Sequence, residues 1–349
     1  MAHRAPARLS EPVAEEDASS GPVRRPSRLR LLASTPSLVA GVAILAFFAG
    51  VAAFSPLLYP GSPTSLPDHP GTGESCPVVP GPSLTLFPFH VGPNPLGQTS
   101  GLGFDVLQGL VRATPWDLLL LLEVLLPAVL IGILLGSYAG FRGGLVDDTL
   151  MALTDAFLAI PEFVVILLAA LYILAGVNPN LRIWVFGLLF LLVVWAPYAR
   201  TVRARARVVA ALPYVEAARA SGGSDRRLLF RHVIPNSLYP VFAQVPTTLA
   251  AVLAILGGLQ YGYTITNPGL CLGLVSEPFA PPPLPLINSP TFPEWTWILS
   301  NGASGWEFGT GYNPWWGVVF PALWILLFGL GVILTCDGLN RALSPTRSE

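Results

Sequence analysis

Residues 37 to 58 read SLVAGVAILAFFAGVAAFSPLL, twenty-two in succession without a charged side chain. At about 1.5 Å per residue, a helix of that length covers roughly 33 Å, enough to cross a hydrocarbon core about 30 Å thick. The apolar run is longer than the h-region of a signal peptide, about 7–15 residues, and it follows a long charged tail, so a retained helix is the better reading. The same character extends through the chain. Of its 349 residues, 52% are hydrophobic and 11% charged, against about 25% charged in a soluble domain. So few charges cannot cover the surface of a water-soluble protein of this size, so the class is integral membrane.

Five further apolar stretches complete an all-α polytopic pattern of six transmembrane helices: Leu118 to Tyr138, Leu150 to Ala175, Ile183 to Tyr198, Ser237 to Tyr261 and Trp315 to Thr335. The fourth is short and is expected to run on through Arg200 to Arg207 as a helix leaving the bilayer. Gly and Pro inside the spans do not forbid helix, because neighbouring helices can satisfy the freed backbone groups. All 19 basic residues are arginine. Without a lysine there is no Walker lysine to reach nucleotide phosphates, so this chain carries no P-loop ATPase motif.

The arginines also set an orientation. Six lie in the N-terminal tail, Arg142 follows the second span, eight lie between Arg200 and Arg231, and Arg341 and Arg347 lie at the C-terminus; only Arg112 and Arg182 fall on the opposite side. The positive-inside rule then places both termini in the cytoplasm, as an even number of spans requires. This distribution accounts for the arginines without nucleic acid. Residues 1–36 read as a disordered cytoplasmic tail, poor in large apolar side chains, and 342–349 as a second short tail. Two long outside loops are expected, 59–114, rich in Gly and Pro, and 266–313, with seven prolines between Pro278 and Pro293. Trp295, Trp297, Trp306, Trp315 and Trp316 in and after the second loop suit an interfacial belt or a docking surface for an external partner.

The most informative segment is LPYVEAARASGGSDRRLLFRHVIPN, Leu212 to Asn236. Pro213 suits the first turn of a helix, where its missing N–H costs nothing. Tyr214 to Ser221 gives about two turns, and Gly222 suits a left-handed C-terminal cap. Ser224 can cap a second helix with Asp225 in its first turn. The product is a short cytoplasmic helix with small side chains on one face, held between two membrane helices, able to fit a groove on another protein.

Glu216-Ala217-Ala218, then Gly222, then Pro235 resemble the EAA loop of ABC importer permeases, and the surrounding RHVIPN narrows the likeness to the dipeptide/oligopeptide/nickel permeases, C-type subunit. Other blocks are similar to that family in the same order: Ala139 to Asp147 (AGFRGGLVD), Asp155 through Pro161, Trp195 followed by Tyr198-Ala199-Arg200, Pro293-Glu294-Trp295, and Asp337 to Leu343 before Ser344-Pro345. The resemblance covers about residues 94–347 and implies an ABC importer type I permease domain over 115–341, five spans of which form the core.

It implies that the EAA helix docks into a cleft of a separate ATPase, with Glu216 and Gly222 central and Tyr214, Ala217, Ala218 and Arg219 around them. The implied partners are a second homologous permease subunit, two ABC ATPase subunits that bind the ATP and Mg, an extracytoplasmic substrate-binding protein and membrane lipid. This chain would supply half of a pathway for peptides, with nickel, other metal chelates or oligosaccharides as alternatives. Two family segments depart. Phe104 stands at an arginine position in Gly97 to Asp105, and Leu259 to Gly273 replaces the family's LSFLGLG. Both lie outside, where a binding protein would deliver substrate.

Of the carboxylates in or near apolar spans, Asp155 matches the family and suits a structural contact. Glu123 and Glu162 do not match, and they are candidates for the translocation path or the bundle interior, because a carboxylate facing lipid costs about 2.5–3.5 kcal/mol. Cys76 and Cys271 fall in the two outside loops and are the candidate disulfide pair; Cys336 is expected cytoplasmic and reduced. His3, His69, His90 and His232 show no metal-ligand spacing. No catalytic constellation stands out, so the chain is expected to be a transporter subunit without enzyme chemistry or a cofactor of its own. A secondary transporter, which would need ion-coupling groups and usually a repeat, and a structural membrane subunit are the alternatives from other classes.

Overall fold

The computed structural model describes residues 35–59, 85–86, 89–90, 94–98, 105–172, 177–178, 181–266, 294–303 and 315–343. The first helix, α1, spans Pro36–Leu58, with Pro36 pre-setting its first turn. A two-residue hairpin follows, β1 (Thr85–Leu86) against β2 (Phe89–His90), antiparallel with Thr85 opposite His90 and Leu86 opposite Phe89. Helix α2 then runs 37 residues, Val106–Arg142. It starts twelve residues before the expected Leu118, because Asp105 caps it: Oδ1 accepts the Gln108 N–H at 2.7 Å. The outside loop expected over 59–114 therefore contains the first turns of α2.

Gly143 and Gly144, at φ +64° and +57°, turn the chain from α2 into α3, Gly144–Leu158. The third span was expected as one helix from Leu150 to Ala175. Instead α3 begins at once, breaks at Ala159 to Pro161, and continues as α4, Glu162–Tyr172, bent by 68°. Pro161 lacks an N–H and disfavours helical backbone at Ile160, which locates the break. Next comes α5, Arg182–Ala210, which carries the fourth span through the arginines as expected. The inner segment consists of α6 (Pro213–Ala220), α7 (Asp225–Leu228), a π-helical turn (Leu229–Val233) and α8 (Ile234–Asn236). Beyond it lie α9 (Tyr239–Thr266), α10 (Trp295–Ala303) and α11 (Trp316–Leu343).

Among the described residues, five helices are long and apolar enough to cross a membrane, and the bent α3–α4 pair makes six. Cys76, Cys271 and most of the Pro-rich loop lie outside the described residues.

The bundle is organised on α2 and α5. Gly132, Gly136 and Gly140 recur every four residues along α2, and a Cβ on any of them would lie 2.3–2.6 Å from Tyr198, Ala199 or Arg203 of α5. In lipid, where no hydrophobic effect drives helices together, such small-residue stripes let backbones approach and gain dispersion contacts. Helices α1 and α11 use the same device: Gly41 faces Thr335, Gly331 faces Ile44, and Gly338 faces Leu38. The main core between these helices contains Phe48, Val124, Phe190, Tyr198 and Trp295, all nearly inaccessible. A smaller cluster of Ala206, Val209 and Val233, packed by Phe141, Leu212 and Leu229, lies at the end of α5.

Candidate functional site

Helix α6 opens on Pro213 and has one buried side chain, Val215. Around it Glu216, Ala217 and Arg219 are exposed, Ala218 is half-buried, and Tyr214 is 44% exposed. The C-terminus closes as the sequence implies. Gly222 sits at φ +82°, its N–H donates to Arg219 O at 3.0 Å, and the Gly223 N–H donates to Ala218 O at 3.1 Å. Those two bonds form a Schellman motif, which needs a residue comfortable in the left-handed region. A Cβ on Gly222 would meet nothing within 4 Å, so the glycine is required by backbone conformation and leaves a smooth surface there. Ser224 occupies the position before α7 but makes no side-chain cap bond.

Beside the buried Val215, side-chain contacts at its flanks seat α6 on the bundle. The Arg219 guanidinium lies 5.5 Å over the Phe141 ring, and the Tyr214 and His232 rings are 6.1 Å apart. Beneath, Asp147 of α3 is 3% exposed and takes both Arg203 Nε (2.8 Å) and Arg203 Nη2 (2.5 Å), with Arg207 at 3.9 Å. A fork-to-carboxylate pair of this kind fixes geometry as well as charge. Asp155 pairs with Arg200 at 3.0 Å, the structural contact expected of it, and the Phe157 and Trp195 rings meet edge-on at 5.4 Å. Arg142 reaches Asp225 of α7 at 3.2 Å. Blocks far apart in sequence therefore touch: Arg142 and Asp147, Asp155 to Pro161, Trp195 to Arg203, and the segment from Tyr214 onward all brace one end of the bundle. Sequence reasoning assigned Asp147 and Arg203 no role; their signal was a carboxylate and a guanidinium placed just beyond apolar spans.

Glu123 and Glu162 are not brought together. Glu123 packs its carboxyl over Gly187 of α5, where a Cβ would lie 2.4 Å from its Cδ, and its Oε2 is buried without a hydrogen-bond partner. Glu162 is the first residue of α4, at the bend.

The far end of the bundle carries a second polar cluster. Asp117 of α2 is 1% exposed, and its Oδ2 accepts the Trp295 N–H at 2.9 Å, capping α10 from another helix. Trp295 is fully buried, donates its ring N–H to Thr114 Oγ1 at 3.2 Å, and meets Phe48 and Phe328 edge-on at 5.6 and 5.1 Å. That burial corrects the interfacial-belt and docking readings for Trp295, which is a core anchor. Burial pushes the neighbouring Glu294 carboxyl up to about 7, against the pull of its hydrogen bonds with Thr296 and Gln260.

The family model for the binding-protein-dependent transport system inner membrane component matches residues 132–346, which hold the glycine stripe, the Asp147–Arg203 pair and α6. The chain belongs to that family. Among its relatives, the di/tripeptide transport system permease DppC of Pseudomonas aeruginosa is 33% identical over 247 residues, 71% of each chain. A probable D,D-dipeptide transport system permease of Escherichia coli is 29% identical over 249 residues, covering 71% of this chain and 72% of the relative. The oligopeptide transport system permease OppC of Bacillus subtilis is 27% identical over 219 residues, covering 62% and 60%. As a member of the family, this permease is a multi-pass inner-membrane component of an ABC importer, a class that works with ATPase and substrate-binding partners.

Proposed function

We propose that this permease is one of two related membrane subunits of an ATP-driven importer whose cargo is peptides, with both termini cytoplasmic. Two ABC ATPase chains bind and hydrolyse ATP with Mg, and an extracytoplasmic protein delivers the substrate. The carrying observation is α6: a two-turn helix ended by the Gly222 cap, offering Tyr214, Glu216 and Ala217, while Val215 is buried beneath it and the exposed Arg219 lays its guanidinium over the Phe141 ring. Exposed small side chains let a cleft of the ATPase close over the helix. The Asp147–Arg203 pair and the second small core supply the rigidity with which a displacement of α6 reaches α5. The peptide assignment is supported by the relatives' names and coverage.

Glu162, at the bend between α3 and α4, is the better of the two carboxylates for the pathway, since Glu123 is turned onto α5. The test replaces Gly222 with tryptophan in the assembled transporter. Loss of both ATPase retention and peptide uptake, with the membrane helices still folded, is the expected result. Normal uptake in that variant would sink the coupling assignment, and neutralising Glu162 without effect on uptake would remove it from the pathway.

A further inference from the structure

The transport reading does not use the basic surface immediately past the coupling helix. Ser224, Arg226, Arg227, Phe230 and Arg231 line an open depression of about 550 Å³. All three arginines are exposed, and among the described residues none of them has a carboxylate within ion-pair distance. Their acidic neighbour in sequence, Asp225, is turned to Arg142. Three like charges gathered without a counter-ion repel one another, and an anion from outside the chain would relieve that repulsion.

The neighbourhood indicates which anion. Phe230, between the arginines, is 54% exposed, an apolar side chain that water alone would not favour. Eight residues after Arg231 the chain enters the membrane-crossing α9 at Tyr239, whose ring stacks under the Arg205 guanidinium at 4.9 Å. A tyrosine–arginine pair at the start of a membrane-crossing helix suits the headgroup level. At the headgroup level an arginine fork meets phosphodiester oxygens two at a time, and an exposed Phe230 can reach the acyl chains just beneath the glycerol.

We propose that Arg226, Arg227 and Arg231 form a site for a phosphate group, supplied by the headgroup of an anionic phospholipid on the arginine-rich side of the membrane. The lipid would brace the segment that joins α6 to α9. This inference does not depend on the cargo.

The experiment uses the full transporter in vesicles of phosphatidylcholine with and without phosphatidylglycerol, with retained lipid read by native mass spectrometry. Phosphatidylglycerol should be retained by the natural chain and released by the Arg226→Gln, Arg227→Gln, Arg231→Gln triple variant, with affinity down roughly fivefold per arginine and on the order of a hundredfold for all three. An Arg341→Gln control, whose arginine pairs within α11 with Asp337, should retain lipid as the natural chain does. If the triple variant is unstable, the matching Lys variant, which keeps charge but loses the fork, should retain lipid weakly. Equal lipid retention by the triple variant overturns the proposal. It also falls if inorganic phosphate stabilises the natural chain equally well whatever the vesicle, which would indicate a free-anion site. Loss of the ATPase with lipid retention unchanged would assign the arginines to the protein interface and overturn it as well.

Discussion

At the scale of single residues, Gly222 and the carboxylates make the sharpest predictions. Gly222→Ala places a Cβ in open space but forces a left-handed backbone on an L-residue, at about 1–2 kcal/mol. Because nothing collides, the loss should fall on α6 alone, read as faster amide exchange from Tyr214 to Gly223 with the global melting midpoint nearly unchanged. Asp147 behaves differently. Removing its partner with Arg203→Ala strands a carboxylate that is 3% exposed, and destabilisation of about 3 kcal/mol is expected in detergent melting. The Asp147→Asn, Arg203→Ala double variant should lose less than the two single losses added together.

Glu294 makes a prediction with a sign. Its carboxyl sits at about 7 in the folded chain against an ordinary 4.5, so the folded state holds that proton more tightly than the unfolded state. Stability from this group is therefore fully present below pH 4.5, falls as pH rises towards 7, and is flat above. A melting midpoint that drops across that window in the natural chain and less steeply in Glu294→Gln is expected; identical slopes would contradict the shift.

At the scale of elements, close approach of backbones governs. The α2–α5 seam leaves no room for a side chain at Gly132, Gly136 or Gly140. Gly136→Leu should push the helices apart and abolish folded, membrane-inserted protein, measured as the monodisperse fraction in detergent. At the other end, a capping carboxylate and a buried indole help to hold α10, with Ile298 packed over Gly109 of α2 and Gly302 close against Gly317 of α11. Trp295→Ala removes a fully buried side chain that touches α1, α2 and α11, a loss of about 3–5 kcal/mol. The bend between α3 and α4 shows why a sequence reading smooths over such features: hydropathy over 150–175 is continuous and Pro161 is tolerated in membrane helices, so only the packed geometry shows that the chain turns there.

At the scale of the whole molecule, the two ends of the bundle carry different chemistry. One end holds α6, its cap and the crowd of arginines with their carboxylates; the other holds Asp117, Glu294 and Trp295. A cysteine placed at Ala220 should react with an impermeant thiol reagent only in inside-out vesicles, and labelling from outside intact cells would reverse the proposed orientation.

Spans, their count and the form of α6 were legible in sequence because each depends on local properties: apolar length, the missing N–H of Pro213 and the φ that Gly222 allows. The EAA-like block, its cap and the neighbouring motifs could be recognised for the same reason. Asp147 and Arg203, Asp117 and Trp295, and Glu123 and Gly187 are each separated by more than fifty residues, and which of them meet depends on how helices stack. No local preference encodes that. The glycine stripe of α2 was not picked out in the sequence, because its meaning depends on the partner helix that lies against it. Sequence alone determined what this chain is made of and which side its working segment faces in the proposal. Tertiary structure alone decided which charges are satisfied and which remain open, because pairing across a bundle is settled by packing between helices, whose energies exist only once the helices are together.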